Sequence, residues 1–251
     1  MEKYTISEYF TLPSKGLVYD KKVASEIHMS SMTTRHEMQR LAPSKSQFKV
    51  LCDIIDDCMV DDIGMSSYDM CTGDYQFLLF KLRTATYGSD VTLKTTCPYC
   101  GEKSEVKFSI DDLSVLSDLE SFNKYKTFVL PKTQREITLN YQTPHMFDKV
   151  LERVQEYSDR TGDTSTDQSL VFTLRELIDK VDGHKPDILN IDDWIRNLPM
   201  LDTNTIFAYA AKVDEAIGID TNLEIVCDRC GKSNTVGFKV GPDFFRPEIN
   251  I

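Results

Sequence analysis

Apolar and polar positions along the chain repeat with two periods, and the switches between them outline the elements. KYTISEYFTLPSKGLVY (3–19) has β-prone runs on both sides of Pro13-Ser14-Lys15-Gly16, which predicts strand, turn and strand. Residues 25–32 continue in extended form. Thr34 followed by Glu37 reads as a capping box opening a helix to about Leu41, which Pro43 ends. Ser44 and Gln47 form a second such box. The helix after it carries Phe48, Leu51, Ile54, Ile55 and Cys58 on one face, the spacing of an amphipathic helix. TGDYQFLLFKLRTATYG (72–88) predicts a third helix, capped by Thr72 and stopped by Gly88, with almost no polar face.

Residues 110–119 read as a short helix or loop, and 126–141 as a hairpin around Pro131-Lys132-Thr133. Thr143 then caps a helix with Pro144 at its first position and Phe147, Val150, Leu151, Val154 and Tyr157 as its apolar stripe. Residues 158–168 hold almost nothing but polar side chains and predict a loop. Further helices are expected at 169–181, around Trp194, and at 203–217, with Gly183 and Gly218 as stops. The tail GPDFFRPEINI is expected to be extended.

One phrase occurs twice. TTCPYCGEKSEVKF (95–108) and IVCDRCGKSNTVGF (225–238) both run from β-prone residues through Cys-x-x-Cys-Gly to a second β-prone run ending in Phe. Each pair sits where a hairpin tip is expected, between Val91–Thr96 and Glu105–Ser109, and between Leu223–Val226 and Thr235–Val240. Zinc in structural sites takes four thiolate or imidazole ligands in a tetrahedron, and two such turns supply four thiolates. Cys97, Cys100, Cys227 and Cys230 are therefore the candidate ligands of one zinc ion per chain, in a ribbon of two facing hairpins. A redox thiol pair is the alternative for a lone Cys-x-x-Cys, but that motif opens a helix after a strand. Pro98, Gly101 and the β-prone flanks favour a hairpin tip. The 126 residues between Cys100 and Cys227 exceed the spacing in compact ribbons. A closed four-thiolate site has no open position, so it is structural and contributes folding free energy. The sequence does not separate zinc from iron.

Composition narrows the function classes. The 251 residues are 41% hydrophobic and 27% charged, the balance of a globular chain able to bury its own core. There is no apolar run of about 18 residues, so no membrane span is expected. The N-terminus lacks the basic and apolar regions of a secretory signal, which predicts a protein made in a cytoplasm. A net charge of −11 and few Lys or Arg beside the knuckles (Lys94, Lys103, Lys107, Arg229, Lys232) argue against nucleic-acid binding. Asp53, Asp56, Asp57, Asp61 and Asp62 read as a solvated face, because the calcium-loop pattern is missing. Seven cysteines without a signal make a poor disulfide framework, and Cys52 and Cys58 read as small helical residues. His28, His36, His145 and His184 have no metal-ligand spacing, and no phosphate loop or nucleophile elbow occurs. Three classes stay open: a zinc-ribbon nucleic-acid-binding or regulatory protein, an enzyme with a structural zinc, and an assembly protein whose metal core carries helices.

The order of features, LPSKG, then MSSMTTRHE, then RTATYG running into VTLKTTCPYCGEKSEVKF, then a late Cys-x-x-Cys before FFRP, resembles the baseplate hub proteins of contractile-tailed, T-even-like bacteriophages. The likeness is strongest at 12–16, 29–37, 82–108 and 223–246. It implies a non-enzymatic structural or assembly component of the tail baseplate hub, with other hub and wedge proteins as partners. It also implies a place in the virion after assembly in the host cytoplasm. The expected fold is α+β: an N-terminal β/α region with the first knuckle (1–119), a hairpin plus helical insertion (120–220), and the second knuckle with the tail (221–251). Both knuckles belong to one zinc-ribbon domain in this scheme. Phe244-Phe245-Arg246 and the 158–168 loop are candidate partner contacts, although paired aromatics near a chain end more often pack on their own domain.

Overall fold

A computed structural model describes residues 7–163, 165–187, 189–238, 240 and 242–245. The fold is α+β, with eight α-helices and small antiparallel sheets among the described residues. Strand β1 (Ser7–Thr11) pairs with β2 (Glu26–Ser30), so the partner of the first strand lies later than the LPSKG turn suggests. Residues 17–19 are not a strand. Tyr19 instead turns inward, and its hydroxyl donates to Asp74 Oδ2 at 2.6 Å.

Helix α1 (Thr34–Leu41) starts one residue earlier than the Thr34 box implies. Thr33 is its cap, and His36 Nδ1 accepts from the Thr33 N–H at 3.0 Å. Glu37 is turned to Arg40 instead. Helix α2 (Gln47–Cys58) buries Cys52, Ile54, Ile55 and Cys58. Burial pushes the Cys52 and Cys58 thiols up to about 12, so both stay neutral and packed. Helix α3 (Thr72–Tyr87) is buried almost all round. Its N-terminus lies against a later strand so closely that a Cβ on Gly73 would overlap the carbonyl oxygen of Ile217. At its C-terminus Gly88 takes φ +85°. There the buried Arg83 donates to the carbonyls of Gly88 and Asp90, a cation at the negative end of the helix.

The ribbon hairpins follow the sequence pattern. The first is β3 (Asp90–Thr96) with β4 (Lys103–Ser109). A one-turn helix at Ile110–Asp112 leads into β5 (Val115–Ser117), a strand the local pattern does not show. Helix α4 (Leu119–Tyr125) precedes the expected hairpin of β6 (Thr127–Val129) and β7 (Glu136–Leu139). Helix α5 (Pro144–Thr161) is capped by Thr143, whose hydroxyl accepts from the Met146 N–H at 3.0 Å. It runs into the stretch expected to be a loop and ends at Gly162. Helix α6 (Ser169–Leu177) stops early, and Ile178–Val181 becomes β8, the third strand of the sheet β6-β7-β8. Helices α7 (Ile191–Arg196) and α8 (Met200–Glu215) follow. Strand β9 (Ile217–Ile219) pairs with β5, and β10 (Asn222–Val226) with β11 (Ser233–Gly237) makes the second ribbon hairpin. A short 3-10 turn spans Pro242–Phe245. There Phe244 and Phe245 are only 6% and 4% exposed, and Phe244 packs on Phe80 and Phe238. These aromatics serve their own core and are not free for a partner. Arg246 lies outside the described residues.

Two apolar clusters form. One draws on Leu12 to Phe122 and again on Val213 to Phe245, and the other on Phe128 to Ala210. Polar groups tie them together. Asp148 on α5 accepts from the Lys49 N–H at the start of α2 (2.9 Å) and from the Tyr68 hydroxyl (3.2 Å). The Thr72 hydroxyl donates to Asp214 on α8 at 2.8 Å, and Gln142 Nε2 donates to the same carboxyl.

Burial raises the Asp214 carboxyl to about 6, against the lowering effect of its two donors. The folded chain therefore keeps a proton there that the unfolded chain loses near pH 4. This stabilisation is complete below about pH 4 and is lost as pH rises through 6. At neutral pH the buried charge costs about 2–3 kcal/mol. Asp214→Asn, with the Gln142 amide turned over to present its oxygen, is expected to be more stable than the parent by about 1–3 kcal/mol at pH 8. The gain should shrink to nothing near pH 4. Urea midpoints of both proteins across that range check this, and a gap that does not change with pH rules it out.

Candidate metal centre

Both knuckles have the same backbone. In the first, the Cys97 N–H donates to the Glu102 carbonyl (2.8 Å) and the Gly101 N–H to the Cys97 carbonyl (2.9 Å). In the second, the Cys227 N–H donates to the Lys232 carbonyl (3.0 Å) and the Gly231 N–H to the Cys227 carbonyl (2.8 Å). Gly101 and Gly231 take φ +73° and +66°. A side chain at either would be strained, which is why glycine follows each pair.

The hairpins bring the four sulfurs of Cys97, Cys100, Cys227 and Cys230 within 4.8 Å of one another. Across the knuckles, Cys97 Sγ lies 3.8 Å from Cys230 Sγ and Cys100 Sγ lies 3.6 Å from Cys227 Sγ. A tetrahedron with Zn–S bonds of about 2.3 Å has sulfur–sulfur edges of about 3.8 Å. A disulfide would need about 2.05 Å. The spacing is thus that of a metal cage, and the thiols are free.

The electrostatics are those of crowded thiols. The Tyr99 N–H donates to Cys97 and, outweighing burial, brings its thiol down to about 7. The Glu102 N–H favours the Cys100 thiolate in the same way, but burial and the sulfurs of Cys227, Cys97 and Cys230 prevail and push it up to about 12. Four thiols this close cannot all ionise unless positive charge sits between them.

Cys97 and Cys227 are buried, while Cys100 and Cys230 are more open. Outside the sulfurs, Arg229 Nη1 pairs with Glu102 at 3.1 Å, and Lys232 Nζ lies 4.8 Å from the centroid of the Tyr99 ring. These exposed contacts cross between the knuckles, though each adds little stability. None of the four histidines joins the cluster. His28 stacks on Tyr9, His36 caps α1, and His145 Nδ1 lies 3.0 Å from Asp69.

A cleft of about 580 Å³ lies away from the sulfurs, lined in part by Asp20, Asp69, His145, Lys149 and Glu176. Two contacts form in it, Lys149 Nζ with Glu176 at 2.7 Å and His145 Nδ1 with Asp69 at 3.0 Å. Sequence reasoning missed a second polar constellation. The Ser14 N–H (3.0 Å), the Ser14 hydroxyl and the Tyr19 hydroxyl (2.6 Å) all donate to Asp74, and the Tyr19 oxygen lies 3.4 Å from Cys71 Sγ. Ser14 and Asp74 are fully buried. This network locks the LPSKG turn onto the first turn of α3. Its one sequence signal is an aspartate at the head of an otherwise apolar helix.

A closed cage of four cysteines, set on two hairpins that join distant parts of one chain, defines a protein whose candidate site is architectural. The family model of the T4 bacteriophage base plate protein matches residues 6–246, and the chain belongs to that family. Its role is structural, in a phage tail baseplate. No curated protein matches, and no solved structure matches. Among the described residues no helix is long and apolar enough to cross a membrane.

Proposed function

We propose that this chain is a non-enzymatic component of the baseplate hub, either built into the virion or assisting hub assembly, with one zinc ion clamping its two ribbon hairpins. Cys97, Cys100, Cys227 and Cys230 are the ligands. The metal supplies no reaction; it fixes β3–β4 against β10–β11 and makes one ribbon domain of 1–119 and 221–251, with 120–220 carried as an insertion. Other hub and wedge proteins are the partners, met in the host cytoplasm.

The family match over nearly the whole chain carries this reading, because it takes in both knuckles and the insertion between them. The charge balance supports a protein partner over a nucleic acid: the chain carries a net −11, and at the ribbon Arg229 is paired with Glu102 and Lys94 with Glu105.

The test is capture of an affinity-tagged chain from phage-infected cells, followed by mass spectrometry of what comes with it. Hub and wedge proteins are expected. Recovery of nucleic acid or host enzymes without any baseplate protein overturns the assignment.

A further inference from the structure

We propose that the four-sulfur cage is also a latent pair of disulfides, which close across the knuckles when the metal leaves in an oxidising medium. The proposal rests on the zinc-clamp reading above and is independent of the hub assignment.

Two close sulfur contacts join opposite knuckles, Cys97 to Cys230 at 3.8 Å and Cys100 to Cys227 at 3.6 Å. Each needs to shorten by less than about 2 Å to reach a disulfide bond length of about 2.05 Å. The hairpins do not depend on the metal alone for their position. Phe108 on β4 and Phe238 beside β11 pack edge to face, 5.4 Å between centroids, and Phe238 also meets Phe80 of α3. Without metal these anchors still hold the tips opposite each other. Each cross pair combines one more open sulfur (Cys100 or Cys230) with one buried sulfur (Cys227 or Cys97). Cys52, Cys58 and Cys71 are shut in the core and do not compete.

The oxidant is hydrogen peroxide in the medium. One thiolate of each pair attacks one peroxide oxygen and the O–O bond breaks. The other oxygen leaves as hydroxide, which takes a proton to become water, and the first stays on sulfur as S–OH. The facing thiolate attacks that sulfur, the S–O bond breaks, and the hydroxide takes a proton to become a second water. Two thiols thereby give two electrons and two protons to one peroxide. Two disulfides consume two. In a medium without a thiol pool the bonds persist. Loss of the metal then leaves the two hairpins joined covalently.

Trypsin separates bridges across the knuckles from bridges within them, and the Cys97→Ser variant then assigns the partners, because trypsin cuts after Lys94, Lys103, Lys212, Arg229 and Lys232. Cys97 and Cys100 fall in peptide 95–103, Cys227 in 213–229 and Cys230 in 230–232. The full-length protein is purified reduced, its metal counted, then stripped with EDTA and treated with hydrogen peroxide. Remaining thiols are alkylated, and the digest is weighed without reduction.

The expected product joins 95–103 to both 213–229 and 230–232. Cys97→Ser is expected to keep 95–103 on 213–229 and release 230–232. An internal bridge in 95–103 with 213–229 tied to 230–232 overturns the proposal, as does alkylation of all four thiols. A metal count of one per chain beside either of those maps spares the clamp and rejects only the disulfides. A count of zero in the reduced protein rejects the clamp, and the proposal with it.

Discussion

Changing Cys97 or Cys230 to serine is expected to empty the metal site altogether, since three thiolates and a weakly donating hydroxyl do not complete the tetrahedron. Metal analysis should find one ion per parent chain and none in either variant. Structural zinc supplies folding free energy, and losing a few kcal/mol of it lowers Tm by about 10 °C in a chain of this size. EDTA should move the parent to the same Tm and leave the variants where they are. The two variants should resemble each other although Cys97 and Cys230 lie 133 positions apart. Loss of half the metal in each variant would mean two separate sites and would end the single-clamp account.

The second large effect is expected at Asp74. Asp74→Ala leaves the Ser14 N–H, the Ser14 hydroxyl and the Tyr19 hydroxyl without their acceptor in a sealed part of the core. Each orphaned buried donor costs about 1–3 kcal/mol, so the variant should lose about 4 kcal/mol or more. Tyr19→Phe removes one donor to Asp74 and orphans the Cys71 N–H alone, so it should lose about 1–3 kcal/mol, less than Asp74→Ala. Burial raises the Asp74 carboxyl although three donors point at it, which shows how far the site is cut off from water. Urea unfolding of both variants decides the matter. Equal losses for the two would show that packing, and not the orphaned donors, sets the cost.

The readable parts of the chain were those where a local rule suffices. Thr143-Pro144 fixes the start of α5, Gly88 the end of α3, and Cys-x-x-Cys-Gly both hairpin tips. The candidate site was legible because its four residues are of one type and stand in two matched phrases. What stayed hidden depends on partners far along the chain. Strands β5 and β9 have three residues each, too few to show a period, and they exist because they pair with each other. Ile178 and Val181 continue the apolar spacing of α6, yet the open edge of β7 draws them into a sheet. Tyr19 leaves its expected strand for a carboxylate 55 positions further along the chain. Asp74, Asp148 and Asp214 look like ordinary solvated acids in the sequence, and only the fold turns them inward.

The split composition of the first apolar cluster has a bearing on synthesis. Phe77, Phe80 and the early hairpin leave the ribosome well before Val213, Phe238 and Phe244, which complete their core. At about 5–20 residues per second, that interval lasts roughly 8–33 s. In the meantime the 128–210 cluster has all its members and can collapse by itself. The nascent N-terminal half is thus the part that most needs shielding, and it waits for the last stretch of polypeptide to cover it.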